Sequence, residues 1–121
     1  MKRFFLGSLI VALILALPIG TMAADPLAEA NKVYDQGGID NIKASTDLYL
    51  KAVAADPNSY EAAWKCARAH RNYGDEAKKA SVEGWEDLCA EYGKKGMGFA
   101  QKATTLGPDK VEGYYYYGIS V

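Results

Sequence analysis

Residues 47–75, DLYLKAVAADPNSYEAAWKCARAHRNYGD, predict two helices joined by a tight turn. On both sides of Asp56-Pro57, small and apolar residues recur at spacings of three and four, which indicates helices with one buried face. Pro57 ends the first helix because proline disfavours helical geometry in the residue before it. Asn58 or Ser59 can cap the second helix. We therefore expect an antiparallel pair that buries its two apolar faces against each other.

The same periodicity predicts further helices along the chain, and no strand is apparent, so the predicted fold class is all-α. Gly74 is placed to end the third helix in a left-handed conformation. In the fourth helix, Gly93, Gly96 and Gly98 each cost about 1 kcal/mol relative to alanine. They indicate either a bend or close packing of neighbouring helices, and we favour packing. The expected helices are Leu27–Gln36, Ile39–Ala55, Ser59–Tyr73, a long helix from about Ser81 to Leu106, and Val111–Val121.

The first 23 residues have the pattern of a secretory signal peptide. Lys2 and Arg3 give a positive start, an apolar stretch follows, and small residues precede a predicted cleavage after Ala23 or Ala24. The apolar stretch is short for a membrane span, which needs about 20 residues. We expect export to the bacterial periplasm, with contact to the membrane only if the segment stays uncleaved.

The pattern around the first proline stop recurs around a second one. The residues around the first stop are Ser45, Tyr49, Ala52 and Pro57, and a second set of four residues has the same relative spacing. The helices that follow the two prolines also match each other. A weaker third copy starts at Leu27. The second set is Gly96, Ala100, Ala103 and Pro108. The helix after Pro57 carries Ala63-x-x-Cys66-Ala67-x-x-His70, and the helix after Pro108 carries Tyr114-x-x-Tyr117-Gly118-x-x-Val121.

This order of bulky, small and aromatic positions before a proline resembles the tetratricopeptide repeat (TPR) family over residues 27–121. The resemblance implies helical hairpins stacked as a short right-handed solenoid, in one domain over residues 24–121. Pro57 and Pro108 lie 51 residues apart, whereas the TPR repeats about every 34 residues. The extra length lies near residues 75–92. The chain is also similar to bacterial relatives of the regulator-of-microtubule-dynamics family and to secreted repeat proteins associated with TRAP-type transporters.

The last predicted helix has no following helix to pack on. A repeat unit cannot bury its apolar face alone. We therefore expect the sequence to be an N-terminal fragment of a longer repeat protein. The alternative is an oligomer that covers the Tyr114–Tyr117 face.

Charge and motif content argue against several classes of function. The 14 basic residues fall to 12 without Lys2 and Arg3, against 15 acidic ones, so the mature chain is mildly acidic and has no footprint for nucleic acid. Metal-binding spacings, phosphate loops and a nucleophile–base pair are not apparent, so we predict no enzyme activity, cofactor or metal. His70, the one histidine, is interpreted as a core residue.

The chain contains two cysteines, Cys66 and Cys89. Both fall on inward faces of adjacent helices, and an oxidising compartment permits a disulfide between them. Buried free thiols are the alternative.

The strongest functional candidate is the face of the third helix opposite the Cys66/His70 stripe. In the TPR family that side of each first helix lines a groove that holds a partner segment, and register adds residues of the last helix. Aromatic side chains would supply contact area, and Arg68 and Arg71 would select an acidic or C-terminal group. The predicted groove residues are Glu61, Trp64, Arg68, Arg71, Asn72, Glu112 and Tyr115.

This surface predicts a periplasmic scaffold or assembly factor that binds a protein or peptide. The alternative function is a small-molecule-binding accessory component of a solute transporter. A deep apolar pocket would favour the transporter component, and an open groove would favour peptide binding.

Overall fold

The computed structural model describes residues 25–120, and every regular element in that range is an α-helix. The predicted all-α class is therefore confirmed. The predicted signal peptide lies outside the described residues. No helix within residues 25–120 has the length and apolar character needed to cross a membrane. The helices are α1 (Pro26–Gln36), α2 (Ile39–Ala55), α3 (Tyr60–Lys79), α4 (Trp85–Leu106) and α5 (Val111–Ser120).

Each helix packs on the helix that follows it in the chain, and α3 also contacts α5. The most extensive contact is between α3 and α4. Gly37 and Gly38 form the link between α1 and α2, and both have a positive φ (75° and 87°) that favours glycine. Short links of this kind make consecutive helices pack side by side. The right-handed solenoid remains a prediction.

Local sequence sets most of the helix ends. The side chain of Asp25 accepts a hydrogen bond from the Leu27 N–H at 3.1 Å, at the start of α1. At the start of α3, the Ser59 hydroxyl accepts from the Ala62 N–H at 3.0 Å. Helix α2 ends at Ala55, directly before Asp56-Pro57, as predicted.

The predicted end of the third helix was wrong. Helix α3 continues through Gly74 to Lys79, and Gly74 is buried within it. A Cβ on Gly74 would lie 3.3 Å from the Cα of Cys89, which is tighter than ordinary packing. Glycine therefore stands at this position because α4 approaches closely, and not because the chain turns into a left-handed conformation.

Helix α4 begins at Trp85, later than the predicted start near Ser81. Ser81 and Gly84 both have left-handed backbone geometry, with φ of 52° and 79°, which is incompatible with a continuous helix. From Trp85 to Leu106 the helix is unbroken. The packing interpretation of its glycines holds at Gly96, where a Cβ would lie 3.2 Å from the Ala67 carbonyl oxygen, whereas Gly93 and Gly98 face open space.

Helix α3 supplies most of the core. Its buried residues are mainly alanines, which let the neighbouring backbones approach closely, and Tyr49 of α2 is the largest fully buried side chain. Matching offsets before the two prolines are buried in both α2 and α4. The repeated pattern therefore corresponds to repeated burial. The buried residues at those offsets are Ser45, Tyr49 and Ala52 in α2, and Gly96, Ala100 and Ala103 in α4.

Candidate partner-binding face

Arg68 lies at the centre of a cluster in which side chains from α1, α3 and α5 meet. Its guanidinium carbon is 4.0 Å from the centre of the Tyr34 ring and 5.2 Å from the centre of the Trp64 ring. Trp64 and Arg68 share a helix face because they are four residues apart. A guanidinium over an aromatic face is attracted by the ring's negative π-surface, so the two rings hold this side chain in place.

The cluster extends to α5 through Tyr116. The rings of Trp64 and Tyr116 are stacked, with centres 5.9 Å apart and planes 8° from parallel. Stacked pairs of this kind contribute about 0.5–1.5 kcal/mol beyond the area that they bury. We call Tyr34, Trp64, Arg68 and Tyr116 the arginine–aromatic cluster.

Polar contacts fix the α1 side of the cluster. The Asn72 side-chain amide of α3 donates a hydrogen bond to the Tyr34 hydroxyl. The Tyr49 hydroxyl of α2 donates to the Asn31 side-chain oxygen of α1 at 2.7 Å. These two bonds link three helices directly beside Arg68, so the face is built before any ligand binds.

The positive charge of Arg68 has no carboxylate partner within 4.0 Å among residues 25–120. Burial raises the pKa of Tyr49 and Tyr116, and the Arg68 charge opposes this rise at both hydroxyls. Both phenols stay protonated at neutral pH and do not neutralise the guanidinium. The Nε–H groups of Arg68 and Arg71 are both buried and have no acceptor in the described part of the chain.

Arg71 differs from Arg68 although both were predicted to select an acidic group. Its guanidinium donates to the Asp75 carboxylate at 2.9 Å, one turn along α3. This ion pair already neutralises the charge of Arg71 within α3. Arg68 is therefore the stronger candidate for receiving an anion.

The structure brings together three of the seven predicted groove residues, namely Trp64, Arg68 and Asn72. Glu61 forms an ion pair with Lys65 within α3. Glu112 accepts a hydrogen bond from the Tyr60 hydroxyl at 2.9 Å. Its pKa is lowered by its own backbone N–H and then by this hydroxyl.

Tyr115 lies at the edge of the cluster. It is 59% exposed and meets Tyr116 edge-on, with ring centres 4.9 Å apart. Its neighbour on the cluster side is therefore Tyr116, which carries the stacking contact with Trp64.

Two members of the cluster, Tyr34 and Tyr116, were not predicted as groove residues. In the weaker copy that starts at Leu27, Tyr34 takes the position of His70, which predicts a core role, and Tyr116 lies within the Tyr114–Tyr117 face of the last helix. The repeat register does not indicate Tyr116, because its counterpart in α3 is Lys65, which is not a predicted groove residue. The contact of Tyr34 with Arg68 joins residues 34 positions apart, and only tertiary packing reveals it.

The predicted core position of His70 is confirmed, since 1% of it is exposed. Its ring lies 5.6 Å from the rings of both Tyr92 and Phe99, and its Nδ1 lies 2.8 Å from the Cys66 carbonyl oxygen. Burial lowers the pKa of His70, and the Cys66 carbonyl partly opposes this shift. The imidazole is therefore neutral at pH 7 and packs between α3 and α4.

Both cysteines are free thiols in the structure. Cys89 donates to the Gly74 carbonyl oxygen at 3.1 Å. Gly74 is eight residues from Cys66, roughly 12 Å along α3, whereas a disulfide needs Cα atoms about 4.4–6.8 Å apart. Burial raises the pKa of the Cys66 thiol to about 12, so this group is protonated and unreactive.

A small cavity of about 120 Å³ lies away from the cluster, where α1 begins and α2 ends. Typical small-molecule pockets have volumes of about 300–1,000 Å³. Within residues 25–120, no three His, Cys, Asp or Glu residues are grouped so that they could hold a metal ion. The cavity is lined by Asp25, Pro26, Leu27, Ala52, Ala55, Asp56, Ser59 and Ala62.

No protein-family model, no curated protein and no solved structure matches this chain. The resemblance to the TPR family consequently rests on the residue pattern alone.

Proposed function

We propose that this chain is a non-catalytic scaffold or assembly factor that binds a protein or peptide partner in the periplasm, with a TPR-like repeat as its framework. The observation that carries this proposal is Arg68, a cation held by two aromatic rings on a face shared by three helices, with no carboxylate of residues 25–120 within 4.0 Å of it. Such a face suits a ligand that carries both an apolar side chain and an anionic group.

Two kinds of group would contribute to binding, namely aromatic rings and the guanidinium of Arg68. The rings of Trp64 and Tyr116 would supply rigid contact area at low entropic cost, since they are already ordered by stacking. The in-plane N–H groups of Arg68 would pair with a carboxylate, because its π-face is occupied by Tyr34. An acidic side chain or a C-terminal carboxylate of the partner supplies this chemistry.

The test is affinity capture from periplasmic extract, with bound proteins identified by mass spectrometry. The bait is compared with a Trp64→Ala/Arg68→Ala variant that still folds. The matched control is Lys78→Ala/Lys79→Ala, which also removes two large side chains from α3, but from its last turn and away from the cluster. We expect the parent and the control to retain the same protein and the Trp64/Arg68 variant to lose it.

Equal retention by all three baits would contradict the proposed face. If none of them retains a protein and a small molecule co-purifies with the chain, the transporter-accessory function is favoured instead. The proposed export has a separate test, because N-terminal sequencing of the chain recovered from the periplasm should begin at Ala24 or Asp25.

A further inference from the structure

Within residues 25–120, the large hydrophobic residues that remain exposed are all in α5. Val111 is 73% exposed, Tyr114 52%, Tyr115 59% and Tyr117 37%. Exposed apolar residues that are scattered singly need no explanation, but a contiguous group marks an interaction surface. The outer face of α5 is therefore a candidate interface, and it is distinct from the arginine–aromatic cluster.

This outer face is free of charge at its centre. The one charged residue of α5 is Glu112, whose carboxylate is engaged by the Tyr60 hydroxyl. Depletion of charge together with enrichment in tyrosine is the composition of an interface core. The Tyr114 ring is also held in place before binding, because its hydroxyl donates to the Pro108 carbonyl oxygen at 2.9 Å.

The stripe along this face is complementary to itself. Val111, Tyr114, Tyr115 and Gly118 follow the spacing of three, four and seven that places residues on one side of a helix. If a second α5 helix lies antiparallel to the first, with the midpoints between Tyr114 and Tyr115 opposite each other, then Val111 of one helix faces Gly118 of the other. In the same arrangement Tyr114 of one helix faces Tyr115 of the other. A large residue then meets a position without a side chain, and Gly118 has open space where a Cβ would lie.

We infer that α5 joins two copies of this chain through an antiparallel, two-fold symmetric helix contact. Val111 of each copy packs over the partner's Gly118, and Tyr114 packs against the partner's Tyr115. A two-fold contact uses the same surface on both copies, which the reversal symmetry of the stripe satisfies.

The exposed area sets the expected strength of this contact. A tyrosine side chain offers about 150–250 Å², so the three exposed tyrosines and Val111 present roughly 400 Å² per copy, or about 800 Å² for the pair. Stable complexes bury about 1,200–2,000 Å². We therefore expect a weak dimer that dissociates on dilution.

Sedimentation velocity of the exported chain between about 1 and 500 μM tests the association. The weight-average mass should rise toward twice the monomer value across this range. Tyr114→Lys places a charge at the centre of the contact and should keep the chain monomeric throughout. The control Ala54→Lys adds the same charge to an exposed position of α2 and should dimerise like the parent.

A parent chain that stays monomeric at 500 μM would overturn the inference, as would dimerisation of a folded Tyr114→Lys variant to the parent's extent. Far-UV circular dichroism shows whether each variant keeps its helices. Because Trp64 and Arg68 are not on this face, loss of the dimer would leave the proposed partner binding intact.

Oxidative cross-linking tests the antiparallel direction. Val111→Cys and Gly118→Cys are made separately in a Cys89→Ser background, and the two chains are either mixed or kept apart. The mixture should cross-link at least tenfold faster than either chain alone, since unlike positions meet across the two-fold axis. Faster self-cross-linking of each single variant would show parallel helices and overturn the proposed pairing.

Discussion

Helices α3 and α5 follow the two prolines at equivalent places, yet within residues 25–120 other helices cover both sides of α3 and only one side of α5. Ala63 and Cys66 of α3 have no exposed surface, whereas the residues at the same offsets of α5, Tyr114 and Tyr117, are 52% and 37% exposed. On the side that faces the preceding helix the two are alike, because Ala62 and its counterpart Gly113 are both buried.

The difference shows which part of the pattern encodes which contact. The face toward the preceding helix takes a small residue in both cases, and a Cβ on Gly113 would lie 2.9 Å from the Thr104 backbone nitrogen. At the two matched offsets compared above, the face toward the following helix carries Ala63 and Cys66 in α3, and Tyr114 and Tyr117 in α5. At these offsets, side-chain size therefore differs between the face that α4 covers and the exposed face of α5.

The largest expected effect comes from placing the residue of α5 at the covered site of α3. Ala63→Tyr forces a large ring into a site with no exposed surface, on the side of α3 that carries Ala67 and His70 against Gly96 of α4. Overpacking usually costs about 1–3 kcal/mol, and we expect at least about 3 kcal/mol here because alanine-rich helices leave no room to adjust. Urea unfolding followed by circular dichroism measures the loss.

The control for this substitution is Ala54→Tyr, on the exposed side of α2. It should change the free energy of unfolding by less than about 0.5 kcal/mol. If Ala63→Tyr were as mild as this control, the α3–α4 contact would be looser than the structure indicates, and the contrast between α3 and α5 would fail.

The covered side of α3 should also respond to pH. Burial lowers the pKa of His70, so the unfolded chain binds more protons than the folded chain below the ordinary histidine pKa of 6.5. Stability is therefore full above about pH 6.5 and falls as the pH drops below it, with a slope of at most about 1.4 kcal/mol per pH unit.

Unfolding titrations between pH 7.5 and 5.5 measure this slope, above the range in which most carboxylates titrate. His70→Gln removes the titrating ring and should flatten the profile, although its stability at pH 7.5 will be lower. A slope that survives in the His70→Gln variant would assign the pH dependence to another group.

Two glycines of α4 give a smaller and opposite pair of effects. Gly98→Ala adds a methyl group in open space and should stabilise the protein by up to about 1 kcal/mol, because alanine favours helix more than glycine. Gly96→Ala brings a Cβ to 3.2 Å from the Ala67 carbonyl oxygen, so we expect this crowding to cancel the stabilisation that alanine gives the helix. The two melting temperatures, measured under one condition, should differ in that order.

Most helix positions were predictable from local chemistry, whereas the end of α3 depends on tertiary packing. Asp56-Pro57 ends α2 as expected because proline acts on its own backbone. Gly74 was misread because a glycine serves either a left-handed turn or a close approach, and a single sequence does not distinguish them. Only the distance to Cys89 decides between the two.

The candidate site was predictable to the extent that one helix defines it. Trp64, Arg68 and Asn72 share a side of α3 by helical spacing alone. The pairing of Arg71 with Asp75 could also have been found in the sequence, since the two lie four residues apart. Tyr34 could not, because its place beside Arg68 depends on how α1 packs against α3.

The smallest expected effect is at the exposed side of α5. Tyr114→Ala removes a half-exposed ring and one exposed hydrogen bond, and alanine is the better helix former, so the free energy of unfolding of the monomer should change by less than about 0.5 kcal/mol. The same substitution should nevertheless remove the concentration dependence of the melting temperature. Association stabilises the folded parent by mass action, so its melting temperature should rise between 5 and 500 μM while that of Tyr114→Ala stays constant. A large loss of stability at 5 μM would instead mean that Tyr114 belongs to the core of the monomer, and the contrast with Ala63 would disappear.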